Sequence, residues 1–538
     1  MKPLLTSNLK VKFLGITPVL KDETGVLNPQ EIVALSALLT FKGKAIKSLF
    51  EEIKEKGENL NEKIKTILQK SSLRGHASLS TTPSLCLTYE GSKFLDSVLT
   101  GVVFSSSLTT SGRRNQISEK DIVFPDKIFL QKKAKKIYQT VSGKNINFFN
   151  SLLSRGIPRD EASKILQYGH YGTVIIQLPI ESIIGLKREY EREKEWMPEE
   201  LGVLLRRIEK ETKKLGIDWL YATREAAPRN VFPHPNIFKN PKEPNLVRSL
   251  LRKQNSINEP KLISIDILIP PELKGKLRDL GEKINSVFSS FNRIKRKWSD
   301  LLSLRQEIFR DYNLALRLKI LSSVPWRVWG EKKRHRTCLQ IVESIYYCIE
   351  RAAKKLQKFK KEIQTGNLKE KSIKEIETVF SIPPSIKKNE EILLEYLLTA
   401  LGSLEGYKNL IKLKIKPKDA IFLIPRAVKI DILQEYDLYN LLTGYFPLRS
   451  CQTAEEEMRR NTLKEITLIK KALAKRRYGW LNRYIVPKCQ IIGFCPEEKS
   501  CPMILSSVKH YNEKFHQEMK AELNQQFEKN LKKLGRWS

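Results

Sequence analysis

Acidic residues are scarce beside basic ones. Asp and Glu number 60 against 97 Lys and Arg, a formal net charge of +37 over 538 residues. That imbalance disfavours cationic partners and favours anionic ones: nucleic acid, nucleotides or a membrane surface. Cysteine is also sparse, at seven, an odd number. A disulfide framework is therefore not expected, and a reducing compartment fits. No apolar run reaches the roughly 18 residues that a membrane span requires. The opening MKPLLTSNLK lacks the long apolar segment of a secretory signal, so a cytoplasmic protein without membrane contact is expected. Zinc-finger spacing, aromatic-rich strand motifs and a Gly-x-x-Gly clamp are all missing, so weak, non-specific nucleic-acid binding rests on charge alone. Hydrophobic residues make up 41%, which supplies a core and excludes a wholly disordered chain.

What is present is an internal echo. A stretch rich in Pro and Asn, from about Ala226 to Pro260, breaks regular structure and reads as a linker. It separates a first half, 1–225, from a second, 261–538. Each half opens on a strand-like run ending in proline, LKVKFLGITP from Leu9 and KLISIDILIP from Lys261. Each later carries a related segment, IPRDEASKIL from Ile157 and IKPKDAIFLIP from Ile415. About sixty residues beyond Asp160 and Asp419 stand Trp219-Leu220 and Trp480-Leu481. Shared order and spacing predict a diverged duplication.

The local patterns are helix-heavy but mixed. Asn28-Pro29 has the form of an N-cap and first helical residue, opening a helix through Ile32, Leu35 and Leu38. Thr173 to Leu178 reads as a strand. Apolar steps of three or four from Leu273 to Leu301 predict a long amphipathic helix whose wet face carries Arg293 and Lys295 to Lys297. A C-terminal amphipathic helix runs through Tyr511, Phe515, Met519, Leu523, Phe527, Leu531 and Leu534 to Gly535, its apolar stripe expected to pack on the core or a partner.

The residues with most chemistry lie in the second half. Arg334-His335-Arg336 is followed by seven residues and then Ser344-Ile345-Tyr346. Arginine forks match phosphates and planar carbonyl edges, and histidine relays a proton near neutral pH. This spacing resembles the Arg-His-Arg, seven residues, Ser-x-Arg motif of flavin-dependent thymidylate synthases (ThyX), with Tyr346 in place of the closing arginine. In the same register the first half has Gly101-Val102-Val103, seven residues, then Ser111-Gly112-Arg113. One half has thus lost the Arg-His-Arg and the other the closing Arg. GHASLSTT from Gly75 resembles the family's Gly-His-x-Ser-x-x-Glu-His, with Thr81 and Thr82 replacing Glu and His; Glu90-Gly91 also fits. LRSCQTAEEEMRR from Leu448 resembles its Leu-Arg-x4-Ala-Gln-x-Glu-Ile-Arg. In the two Ala-Arg-x-x-Leu-Pro-like segments, Ser163 and Ile421 replace the nucleotide-binding arginine.

The resemblance implies a helix-rich α+β fold in which two diverged copies form a pseudo-dimer. It implies FAD chemistry that methylates dUMP to dTMP, with methylenetetrahydrofolate as carbon donor and NADPH as reductant, and needs no cysteine nucleophile. Arg334, His335, Arg336, His76 and Ser78 would line the flavin. Ser111, Arg113, Arg449 and Ser344 would bind dUMP. Family enzymes are tetramers, so a homodimer of tandem chains is the expected equivalent. Two alternatives stand beside this: an inactive descendant kept as a nucleotide-binding or structural module, and a basic nucleic-acid-binding protein. No metal is expected; Cys489, Cys495, Cys501 and His510 are weak candidates for zinc, because their spacing is not the usual paired one.

Overall fold

The computed structural model describes residues 3–22, 25–110, 117–227, 235–252, 258–289, 308–492, 494–507 and 511–535. In chain order the principal strands are β1 (Lys10–Thr17), β2 (Ser84–Ser92), β3 (Ser106–Thr109), β4 (Tyr171–Pro179), β5 (Lys261–Ile267), β6 (Leu316–Pro325), β7 (Leu339–Val342) and β8 (Lys429–Asp437). The helices needed below are α1 (Pro29–Lys42), α2 (Lys132–Ser154), α3 (Glu199–Glu211), α4 (Asp218–Ala226), α5 (Ile345–Lys358), α6 (Glu390–Lys412), α7 (Glu456–Lys475) and α8 (Glu513–Leu534). The fold is α+β and rich in helix, as expected. Among the described residues no helix is long and apolar enough to cross a membrane.

Contacts divide the chain into two units that interleave in sequence. The first comprises Met1–Asn245, Pro325–Arg334 and Val342–Ile430; the second comprises Leu246–Val324, His335–Ile341 and Asp431–Ser538. Compactness therefore does not follow the division at 226–260. Part of that Pro-rich stretch is built into the first unit, where Ile237 and Phe238 are fully buried. Leu246–Arg252, in the second unit, is helical. Proline excludes these residues from ladders and helix interiors, not from a packed irregular segment.

In the first unit β1, β2, β4 and β3 form one antiparallel sheet in that order. Alternation explains its faces. Leu85, Leu87 and Tyr89 of β2 and Val174, Ile176 and Leu178 of β4 are buried, while Ile175 is exposed. In the second unit β5, β6, β8 and β7 form a sheet with the same relative order. Within the first unit α2 and α6, each of 23 residues, lie against each other: Ser403 Oγ donates to Asn145 Oδ1 at 2.9 Å, and Gly406 meets Val141. The segments that lead into β4 and β8 pair as well. Arg426 N donates to the Leu166 carbonyl at 3.0 Å and Ala427 N to that of Lys164 at 2.9 Å.

Local signals translated directly. Asn28 and Glu31 close a capping box at α1, with Pro29 in its first turn and Gly43 left-handed at its end. The apolar-step helix is described over Pro271–Ser289, and its continuation with Arg293 and Lys295 to Lys297 lies outside the described residues. Helix α8 buries Phe515 and Met519 in the core of its unit, whereas Phe527, Leu531 and Leu534 are exposed, so only the first part of the stripe packs on the core.

Candidate functional site

The Arg-His-Arg segment follows β6 and a short helix, Trp326–Lys332, anchored by the fully buried Trp326 and Trp329. In the first unit Phe94 stacks on Phe422 at 4.5 Å and meets the Trp326 edge at 5.4 Å. Lys333 is buried and donates its Nζ protons to the carbonyls of Asp96, at 2.8 Å, and Ser97. A cation at the C-terminal end of the helix Phe94–Leu99 is favourably placed, although the Asp96 carbonyl also accepts from Thr100 N and Oγ1. Lys93 also reaches Asp96, at 2.6 Å; burial holds the Lys93 ammonium below its ordinary pKa, and the Asp96 carboxylate opposes that. So tethered, the chain leaves Arg334 exposed, and its Nη2 donates to Thr109 Oγ1 at 3.0 Å. Thr109 ends β3, two residues before Ser111.

His335 belongs to the second unit, where it meets Arg449. Arg449 Nε donates to His335 Nε2 at 2.7 Å, so that nitrogen supplies the lone pair and the ring proton sits on Nδ1. The imidazole stands edge-on to Tyr445 at 5.0 Å. Tyr445 in turn belongs to a cluster with Tyr436 and Phe446, with ring centroids 4.8 to 5.0 Å apart. Asn440 secures the following turn: its Oδ1 accepts from Thr337 Oγ1 at 3.0 Å and Cys338 Sγ at 3.2 Å, and its Nδ2 donates to Asp437. Arg336 is exposed. In the second unit an exposed arginine thus follows a histidine whose ring is oriented by Arg449.

The remaining expected residues behave differently. Ser344 caps α5, but it is fully buried and its hydroxyl donates to the Lys239 carbonyl at 2.7 Å. Tyr346 is buried, bonded to the Trp196 carbonyl and 5.0 Å from the Trp196 ring; burial pushes its phenol well above the usual range. It is a core residue at the position where the motif it resembles has an arginine. His76 and Ser78 are exposed after the left-handed Gly75 (φ 106°), and Thr81 and Thr82 donate back to the Ser78 carbonyl at 3.0 and 3.1 Å. Those threonines finish a turn and do not supply the family's Glu and His. Ser111 and Arg113 lie outside the described residues. Ser163 and Ile421 are fully buried.

For the late cysteines, no group of three or more His, Cys, Asp or Glu among the described residues is arranged to hold a metal. Cys489 and Cys495 sit in an apolar cluster with Phe494, Ile504 and Phe515. Burial pushes the Cys489 thiol up to about 12, which opposes the thiolate that a metal needs. His510 lies outside the described residues. Sequence reasoning missed Lys333, Asn440 and Tyr445. Only Asn440 had a local signal, the Asp437 N-cap that opens its helix.

Residues 317–473 match the family described as thymidylate synthase complementing protein. The matched stretch contains Arg334, His335, Arg336, Ser344 and Arg449, and excludes His76, Ser78, Ser111 and Arg113. The chain is 32% identical over 128 residues to the flavin-dependent thymidylate synthase of Pyrococcus abyssi, covering 24% of this chain and 51% of the relative. It is 35% identical over 129 residues to that of Pyrococcus horikoshii, covering 24% and 52%. The chain thus spans about half the length of the curated relatives it matches. Among solved structures, ThyX from Helicobacter pylori complexed with FAD and dUMP aligns at 14% identity with TM-score 0.26, covering 42% of this chain and 99% of that one. A UMP/dUMP methylase, PolB, from Streptomyces cacaoi aligns at 12% identity with TM-score 0.31, covering 42% and 97%.

Proposed function

We propose that this chain is a diverged tandem flavin-dependent thymidylate synthase that methylates dUMP in the cytoplasm at a composite site. The observation that carries the reading is the bond from Arg334 to Thr109. It joins Arg334, from the second half of the sequence, to a residue two positions before Ser111 in the first. The equal strand orders, the equal lengths of α2 and α6, and the paired segments before β4 and β8 support duplication. The residues fit a flavin in part. Arg334 and Arg336 are exposed, and their guanidinium groups suit a diphosphate or flavin carbonyls. Arg449 orients the His335 ring through its Nε. Ser111 and Arg113 would hold dUMP beside it. When bound, FAD supplies hydride chemistry between NADPH, methylenetetrahydrofolate and dUMP; the protein's part is to orient and to charge-neutralise.

The test is absorbance titration with FAD and calorimetric titration with dUMP. Arg334→Ala with Arg336→Ala removes two charge-assisted bond sets worth about 1.5–3 kcal/mol each and is expected to weaken FAD at least about a hundredfold. Arg113→Ala should weaken dUMP and leave FAD in place. The wild type should bind at most one of each per chain and sediment as a homodimer. Unchanged FAD affinity in the double variant refutes the site, and two equivalent sites per chain refute its composite nature.

A second reading is favoured by the buried Tyr346, Ser163 and Ile421: a nucleotide-binding module without turnover. FAD retention with no dUMP-dependent oxidation of reduced flavin would select it.

A further inference from the structure

We propose that a groove along β1 in the first unit binds a single strand of nucleic acid. The groove has a volume of about 960 Å³ and is walled by β1, the short hairpin Leu20–Asp22/Gly25–Leu27, and the end of α3. None of Arg334, His335, Arg336 or Arg449 lines it, so it is independent of the nucleotide site proposed above.

Its charge is one-sided. Lys12 projects from β1, and Arg207, Lys210, Lys213 and Lys214 come from α3 and the turn after it, all five exposed. The one lining carboxylate, Glu211, is 3.8 Å from Lys214. Among the described residues Lys12, Arg207, Lys210 and Lys213 make no ion pair. Cations gathered at a helix C-terminus are ordinary. Lys12 is not part of that helix, and it brings a cation to the opposite wall.

Between the charges lies an apolar floor. Leu14, Val19 and Val26 are 47%, 52% and 62% exposed, and Phe13 and Ile16 are half-buried. A cationic rail beside an apolar and aromatic surface is the arrangement that holds phosphates while accepting base faces. A duplex keeps its base faces stacked and would leave that floor unused.

An extended peptide fits less well, although β1 is an edge of its sheet. Phe13 pairs with Leu87 and Gly15 with Cys86, so Leu14 is extruded as a bulge. Bulges and lysines on an edge interrupt the hydrogen-bonding row that an added strand would need.

The experiment is fluorescence anisotropy of the full chain with a labelled fifteen-residue oligothymidylate, from about 50 to about 300 mM salt. Four charge reversals, Lys12→Glu, Arg207→Glu, Lys210→Glu and Lys213→Glu, should weaken binding about a hundredfold and flatten the log–log salt slope by about 3, at roughly 0.7 per phosphate contact. Phe13→Ala should weaken binding without changing the slope. A matched reversal on α8, at Lys514, Lys529, Lys532 and Lys533, should change affinity less than tenfold. FAD titration and the melting temperature report that the folded chain is intact, and the milder Lys→Gln and Arg→Gln set gives the same ordering if reversal impairs folding. Equal losses from the groove and α8 sets would mean that net charge alone binds. An unchanged affinity in the groove variants, or competition by polyglutamate as effective as by unlabelled oligothymidylate, would equally overturn the site.

Discussion

Arg224→Met is expected to destabilise the first unit by about 3–5 kcal/mol, the cost of leaving a buried charge without its partner. Arg224 and Glu181 are 1% and 3% exposed, and they pair through two bonds of 3.0 Å, Nε to Oε2 and Nη2 to Oε1. Arg224 Nη1 also donates to the Ser72 carbonyl at 2.7 Å, and Ser80 Oγ donates to Glu181 Oε2 at 2.5 Å. The pair thereby ties α4 to the turn that carries Gly75 and His76. With methionine at 224 the Glu181 carboxylate loses both guanidinium bonds and stays buried, so it must bind a proton or admit water. Urea unfolding followed by tryptophan fluorescence reads the loss. The double replacement Arg224→Met with Glu181→Leu should recover most of it, since no charge is then stranded. A single-variant loss below about 1 kcal/mol would show that the pair is not buried in solution.

The second large effect is a dependence on pH centred on Glu200. This residue of α3 is fully buried, and Ser92 donates to it from its backbone N at 2.8 Å and from its hydroxyl. Burial raises its pKa from 4.5 to about 8; the Ser92 bonds oppose the rise, and the Asp96 and Asp126 carboxylates add to it. Between pH 4.5 and 8 the folded chain holds a proton that the unfolded chain has released. Stability therefore falls as pH rises through that window, by up to about 1.4 kcal/mol per unit for this group. Glu200→Gln keeps an acceptor for Ser92 N and removes the titration. It is expected to match the wild type near pH 5 and to exceed it by several kcal/mol at pH 8.5, with a flatter profile between. Parallel profiles for the two proteins would refute the assignment.

How much of this was legible in advance depends on the range of the interactions. Helix α1 was readable because its determinants are neighbours: Asn28, Pro29 and Glu31 satisfy one another within a single turn. The strands β1, β4 and β5 were readable as short β-rich runs. Tyr346 was recognised as a departure from a motif, but not as a core residue, because its burial depends on Trp196, which is distant in sequence. The C-terminal stripe was readable as a face, but periodicity does not say what covers it: Phe515 and Met519 are buried within the unit and Phe527, Leu531 and Leu534 are not.

By itself the sequence determined the basic charge, the helix-rich mixture of elements, the caps, and the motif spacing that connects Arg334 to Ser344. Each of these follows from composition or from residues a few positions apart. Tertiary structure alone decided that Arg449 would reach His335 across 114 positions and that Arg334 would reach Thr109 across 225. It also decided that Lys12 would face the cations of α3 across a groove. Hydrogen bonds and charge pairs act over a few ångströms in space. Chain separation carries no information about them until the sheets and the buried aromatic residues have set the backbone in place.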